Sequence, residues 1–272
     1  MICDLCPHHC DLGEGKTGLC RARSNINGVI TCNNYGKLTA LALDPVEKKP
    51  FARFCPGKKI LSAGSFGCNL CCPFCQNHEI SMAGTDTDTE YYSPERLVRK
   101  ASELMPFGNI GIAFTYNEPI ISYEYVKDCF FLARRHGLKT ALVTNGTICE
   151  KPLIELLALT DAINIDLKGF TRSFYDMVGG RLDTVMRAIE LAAITCHTEV
   201  TTLIIPGEND SEEEMNELSK WLKSVKQDIP LHISRFFPTF RMTDKCVTPI
   251  ETILHLYETA KKHLDYVYIG NC

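Results

Sequence analysis

No stretch of this chain runs apolar for anything near the ~20 residues that a membrane-spanning helix needs. The first residues, Met1-Ile2-Cys3-Asp4-Leu5-Cys6, lack a basic region followed by an apolar one, so neither a membrane span nor a signal peptide is expected. Long basic runs are missing as well. The formal net charge is −4, and short pairs such as Lys58-Lys59 and Arg134-Arg135 read as solvated faces. Nothing here calls for a nucleic acid or a membrane surface as partner. A cytoplasmic location is the expectation.

Cysteine is what the chain has in excess, with 15 in 272 residues. Disulfide scaffolds belong to short secreted chains rather than to a domain of this length. In a reducing compartment, closely spaced thiols point to metal. Cys32, Cys129, Cys149, Cys196 and Cys246 are scattered and read as small buried hydrophobes. The others cluster. Cys3, Cys6, Cys10 and Cys20 follow the spacing C-x2-C-x3-C-x9-C, beside His8 and His9. That segment has too few apolar residues for a core of its own, so a second bound metal, zinc or iron–sulfur, is expected to hold it.

The densest run is Gly67-Cys68-Asn69-Leu70-Cys71-Cys72-Pro73-Phe74-Cys75-Gln76-Asn77. Cys68, Cys72 and Cys75 are spaced C-x3-C-x2-C. Three thiolates can hold three irons of a cubane and leave the fourth iron open, and an open iron implies chemistry. Counting Cys71 instead gives C-x2-C-C-x2-C, a closed zinc tetrad in a non-catalytic protein. Spacing alone leaves both open.

Residues 28–32 and 37–43 are β-like runs around Asn33-Asn34-Tyr35-Gly36, which predicts a hairpin between them. The Pro-bounded connector 44–50 divides a Cys-rich extension, residues 1–50, from a main domain, 51–272. From residue 59 strand-like and helix-like segments alternate with a period near 30 residues. The strands fall at 60–66, 110–115, 140–144, 162–167, 199–205, 231–236 and 266–269. Amphipathic runs at 94–105, 120–136, 151–159, 182–194, 212–225 and 249–263 separate them. This predicts an α/β fold, a partial (β/α)6 TIM-like barrel. In such barrels the site lies at the C-terminal strand ends. The cysteine run follows the first strand. The later exits carry Thr115-Tyr116-Asn117-Glu118-Pro119, Thr144-Asn145-Gly146, Asp166-Leu167-Lys168, Ile205 to Asp210, and His232 to Pro238.

On Cys68, Cys72 and Cys75, with aromatic Phe74 before the last, the chain resembles the radical S-adenosylmethionine (radical SAM) superfamily. Cys72 to Asn77, Glu118-Pro119 and Asp166-Leu167-Lys168 are similar to the pyruvate formate-lyase-activating-enzyme branch. The N-terminal cysteines, Asp44 to Pro50, Thr115 to Pro119, Ile165 to Gly169 and Leu203 to Asp210 resemble the radical SAM enzyme of the AmmeMemoRadiSam system. The resemblance implies that Cys68, Cys72 and Cys75 ligate a [4Fe–4S] cluster whose open iron chelates S-adenosylmethionine. Asn117 and Glu118 then meet the methionine amino group, at a motif whose two family glycines are Tyr116 and Asn117 here. Phe74, Thr144, Asn145, Asp166, Lys168 and His232 line the cofactor, and Cys272 is able to complete the N-terminal thiol set. A flavodoxin- or ferredoxin-like donor supplies electrons. The substrate, protein or small molecule, is not legible, and a glycyl radical on a partner protein is the alternative outcome.

Overall fold

The structure, a computed structural model, describes residues 1–272. The chain opens with an irregular segment and then a two-stranded hairpin, β1 (Arg23–Ile26) and β2 (Val29–Cys32). Here the structure corrects the expected pairing. Residues 29–32 pair with 23–26, not with 37–43. The turn is Asn27-Gly28, with φ of 52° and 74°, and two consecutive left-handed residues close the hairpin as a type I′ turn does. A short strand, β3 (Lys37–Leu38), precedes β4 (Ala40–Pro45), which lies antiparallel against β5 (Lys59–Gly64) as the edge of the main sheet. Pro45 fits there because an edge position does not need its missing N–H.

The remaining elements are α1 (His78–Ser81), β6 (Glu90–Tyr91), α2 (Pro94–Glu103), β7 (Asn109–Phe114), α3 (Tyr123–Arg135), β8 (Lys139–Thr144) and α4 (Glu150–Leu157). Then come β9 (Ala162–Asp166), α5 (Arg172–Val178), α6 (Leu182–Ala193), β10 (His197–Ile204), α7 (Glu212–Val225), β11 (Leu231–Arg235), α8 (Ile250–Lys261) and β12 (Val267–Gly270). Helix starts follow their caps. Ser93, Thr171 and Ser211 accept from Arg96, Phe174 and Glu214 N–H groups. Glu212, Glu213 and Glu214 also set negative charge at the positive end of α7.

The main sheet has eight strands in the order β12-β11-β10-β9-β8-β7-β5-β4, and all but β4 are parallel. Its two ends do not pair, so the barrel is partial, as expected. Alternation divides each strand. Ile112, Leu142 and Ile163 join the core under the helices, while Ala113, Ala141 and Ala162, in register with one another, face inward. Those small residues leave room for a plug, the segment carrying Phe51 and Phe54, which packs on them with Val46 and Ile60. The plug is tied down by polar inward residues. Asn164 Nδ2 donates to the Pro50 carbonyl at 2.8 Å, and Glu199 accepts from the Ala52 and Arg53 N–H groups at 2.9 Å each.

Of the scattered cysteines, Cys129 is buried, and Cys32, Cys149 and Cys196 are half-buried. Cys246 is exposed, contrary to expectation, because it sits in the loop after β11 rather than on an element's inner face.

Candidate active site

The loop that leaves β5 carries the dense cysteine run, and its path is fixed before the thiols are reached. Gly67 has φ of 87°, and a Cβ there would lie 2.4 Å from the Cys20 carbonyl oxygen, so only glycine fits. The Asn117 side chain braces the same backbone. It accepts from Ser65 N–H at 2.9 Å and donates to the Phe66 and Gly67 carbonyls at 3.2 and 3.1 Å. Asn117 is thus committed to loop shape rather than aimed at the space beside the thiols.

Beyond Gly67 the loop turns its cysteines differently. Cys72 is buried, and Cys68 and Cys75 are half-buried. Cys71 is exposed, its N–H bonds the Val178 carbonyl at 2.9 Å, and its sulfur lies 3.4 Å from the same oxygen. No three Cys, His, Asp or Glu side chains converge as the ligands of a single ion would. That geometry counts against a zinc tetrad and suits thiols spread around something larger. Phe74 is buried, its ring 5.9 Å from that of Phe174, so its side chain anchors the loop onto α5.

Around the thiols stand the ends of β7, β8 and β9. Glu118, 2% exposed, accepts from Thr144 Oγ1 (2.7 Å) and Ile120 N–H (3.0 Å) on Oε1, and from Asn145 N–H (2.8 Å) on Oε2. Burial pushes its pKa up to about 7 against the lowering effect of those donors. Burial, and then the Glu118 charge, raise the Cys68 thiol well above its ordinary value. Asn145 Nδ2 sits 3.7 Å from the Cys68 sulfur and 2.9 Å from Asn69 Oδ1. Burial likewise raises Cys72, to about 11, although Lys168 pulls the other way. Lys168 pairs with Asp166 at 3.0 Å. Burial disfavours its ammonium, but Asp166 and the Cys72 sulfur more than offset that, and its pKa rises. A held cation beside a set of thiols is what an anionic thiolate assembly requires.

Thus Cys68, Cys72, Cys75, Glu118, Thr144, Asn145, Asp166 and Lys168 come together. His232 stands apart from them. Register sets it level with Asp166, through Thr201 on the strand between, about 10 Å away at the usual strand spacing. Its Nε2 is 2.6 Å from Glu199 Oε2 and its ring stacks on Tyr268.

Several contributors escaped sequence reasoning. Asn69 bridges Asn145 and the Thr147 carbonyl. Tyr116, where the resembling family has glycine, keeps a left-handed φ of 75°. Its hydroxyl donates to Asp44 at 2.7 Å and accepts from Lys49 at 3.3 Å, and the Lys49 ammonium lies 4.3 Å over its ring. The extension's Cys3, Cys6, Cys10 and Cys20 line one cavity with His8 and Asn69, directly behind this loop. Cys272 is exposed and not among the residues lining that cavity, which corrects its expected role there.

Residues 64–219 match the Radical SAM superfamily. An uncharacterised protein of Methanocaldococcus jannaschii is 38% identical over 99% of this chain and 80% of its own length. The pyruvate formate-lyase-activating enzyme of Clostridium pasteurianum is 26% identical, over 59% of this chain and 68% of its own. Among solved structures, SuiB of Streptococcus suis bound to precursor peptide SuiA superposes with a TM-score of 0.61 at 16% identity, covering 84% of this chain and 51% of SuiB. That likeness speaks to the fold. With the matched region spanning the cysteine loop and the strand ends around it, the chain belongs to the radical SAM superfamily and is an enzyme similar to the pyruvate formate-lyase-activating enzymes.

Proposed function

We propose that Cys68, Cys72 and Cys75 hold a [4Fe–4S] cluster that binds S-adenosylmethionine, and that the enzyme acts on a protein or peptide. The observation that carries this reading is the meeting, at one end of the sheet, of three buried or half-buried thiols, a buried carboxylate and a half-buried Lys–Asp pair. When bound, the cluster and S-adenosylmethionine supply one-electron chemistry, reductive cleavage to methionine and a 5′-deoxyadenosyl radical that abstracts hydrogen. The chain's part is placement. Glu118 Oε2 has only one donor in the fold, so it keeps a lone pair for the methionine amino group. Thr144 and the Asn145 N–H orient that carboxylate rather than touching the cofactor themselves. Lys168 offers its charge to the methionine carboxylate, and Asp166 accepts from the ribose hydroxyls. The buried Phe74 keeps the loop closed against water.

A flavodoxin- or ferredoxin-like protein donates the electron. For the substrate, the activating-enzyme relatives and a fold neighbour described with its precursor peptide support a polypeptide. A small molecule is the alternative reading, since another fold neighbour is described with tryptophan as its substrate. The test is electron paramagnetic resonance on the anaerobically reconstituted, reduced protein. Adding S-adenosylmethionine should change the cluster signal, and an unchanged signal would sink the reading. Incubation with candidate partners would then separate a glycyl-radical doublet from other peptide modification.

A further inference from the structure

We propose that Cys3, Cys6, Cys10 and Cys20 hold a second iron–sulfur cluster, of the four-iron cubane class, against the back of the Cys68 loop. The four cysteines are spread over an irregular segment, yet they line one cavity together with Arg23 and Asn69. Two features of that cavity decide what it is built for. A zinc ion sits about 2.3 Å from each of four sulfurs, which puts those sulfurs in mutual contact with no void between them. Here no three donors stand at single-ion geometry, and the cavity the thiols share has room for a water-sized body. A cubane spreads its cysteine sulfurs and fills the space between them.

The walls are prepared for negative charge. Arg23 and Asn69 set polar groups in the wall beside the four thiols. Arg23 is 6% exposed and its guanidinium is bidentate to Glu124, but its Nε is buried with no partner. A buried unpaired donor on the wall of a cavity calls for an acceptor inside it, and a thiolate-bound cluster is an acceptor.

The position gives the site a use. His8 Nε2 lies 2.7 Å from the Asn69 carbonyl, and Asn69 both lines the cavity and directly follows Cys68 in the loop. A one-electron carrier here stands between an external flavodoxin- or ferredoxin-like donor and the Cys68 loop. One electron arrives and one leaves, with no bond or proton changed. This use rests on the proposed function, whereas the site itself does not.

The test is iron, sulfide and zinc content per full-length chain after anaerobic reconstitution, with Mössbauer spectra. Wild type should carry about eight irons, as two four-iron clusters, and Cys68→Ala/Cys72→Ala/Cys75→Ala about four. Cys6→Ser/Cys10→Ser should lose the other four while its remaining cluster still responds to S-adenosylmethionine. Stoichiometric zinc, or no iron at all, in the Cys68/Cys72/Cys75 variant would overturn the proposal. If that variant fails to fold, Mössbauer spectra of wild type decide: one cluster type accounting for only four irons, lost in Cys72→Ala and kept in Cys6→Ser/Cys10→Ser, refutes it equally. Loss of the S-adenosylmethionine response with eight irons retained would instead count against the proposed function alone.

Discussion

Replacing Glu199 by glutamine should cost the fold roughly 3 kcal/mol at pH 7. Glu199 is fully buried inside the barrel, and four donors converge on its two oxygens. They are His197 Nε2 at 2.7 Å, His232 Nε2 at 2.6 Å, and the Ala52 and Arg53 N–H groups at 2.9 Å. Burial alone would raise its pKa, but these four donors win and hold it at about 2, against 4.5 for the free group. At about 1.4 kcal/mol per pKa unit, that depression corresponds to the figure given. A glutamine offers one oxygen and turns an N–H toward donors, so it cannot replace the carboxylate. Between pH 2 and 4.5 the unfolded chain binds more protons at this site than the folded one, so stability rises with pH across that window. Urea unfolding of both proteins from pH 7 down to 3 should show a wild type–variant gap that is full above pH 4.5 and narrows below it. A gap under ~1 kcal/mol at pH 7, or one that does not change with pH, would refute the reasoning.

Two further outcomes follow from the site. Glu118 has the opposite sign, because burial raises it to about 7. The folded chain keeps a proton there that the unfolded chain has released, so stability falls by up to roughly 3 kcal/mol as pH rises from 4.5 through 7. Unfolding free energies of Glu118→Gln should be flatter over that range, and an unaltered slope would contradict the assignment. Tyr116 holds a left-handed φ, so Tyr116→Gly should exceed Tyr116→Val in stability by about 1–2 kcal/mol, although both lose the Asp44 and Lys49 contacts. Equal urea midpoints for the two variants would show that the backbone relaxes.

The β/α repeat was legible because each strand and helix announces itself locally, through alternation, caps and a period near 30 residues. The Cys68, Cys72 and Cys75 set was legible because its spacing is local too, and Asp166 and Lys168 because strand ends in such a barrel face one site. What could not be read depends on residues far apart in the chain. Nothing near Ala40–Pro45 reveals that it joins the sheet beside β5, and the short Asn27-Gly28 turn competes locally with the longer Asn33–Gly36 run, which only the folded pairing decides. Asn117 was placed at the cofactor because of its neighbour Glu118, yet the three backbone groups that use up its amide come from the other side of the loop. Glu199 gathers donors from the plug and two strands, and only the folded barrel brings these together.

The central claim concerns which thiols do the chemistry, and reductive cleavage of S-adenosylmethionine by reconstituted protein tests it most directly. With dithionite as reductant, wild type and Cys71→Ala should form 5′-deoxyadenosine and methionine at similar rates, because Cys71 is turned out to solvent. Cys72→Ala should form neither. Cleavage by Cys72→Ala at the parent rate, or its loss in Cys71→Ala with Cys72 intact, would contradict the account.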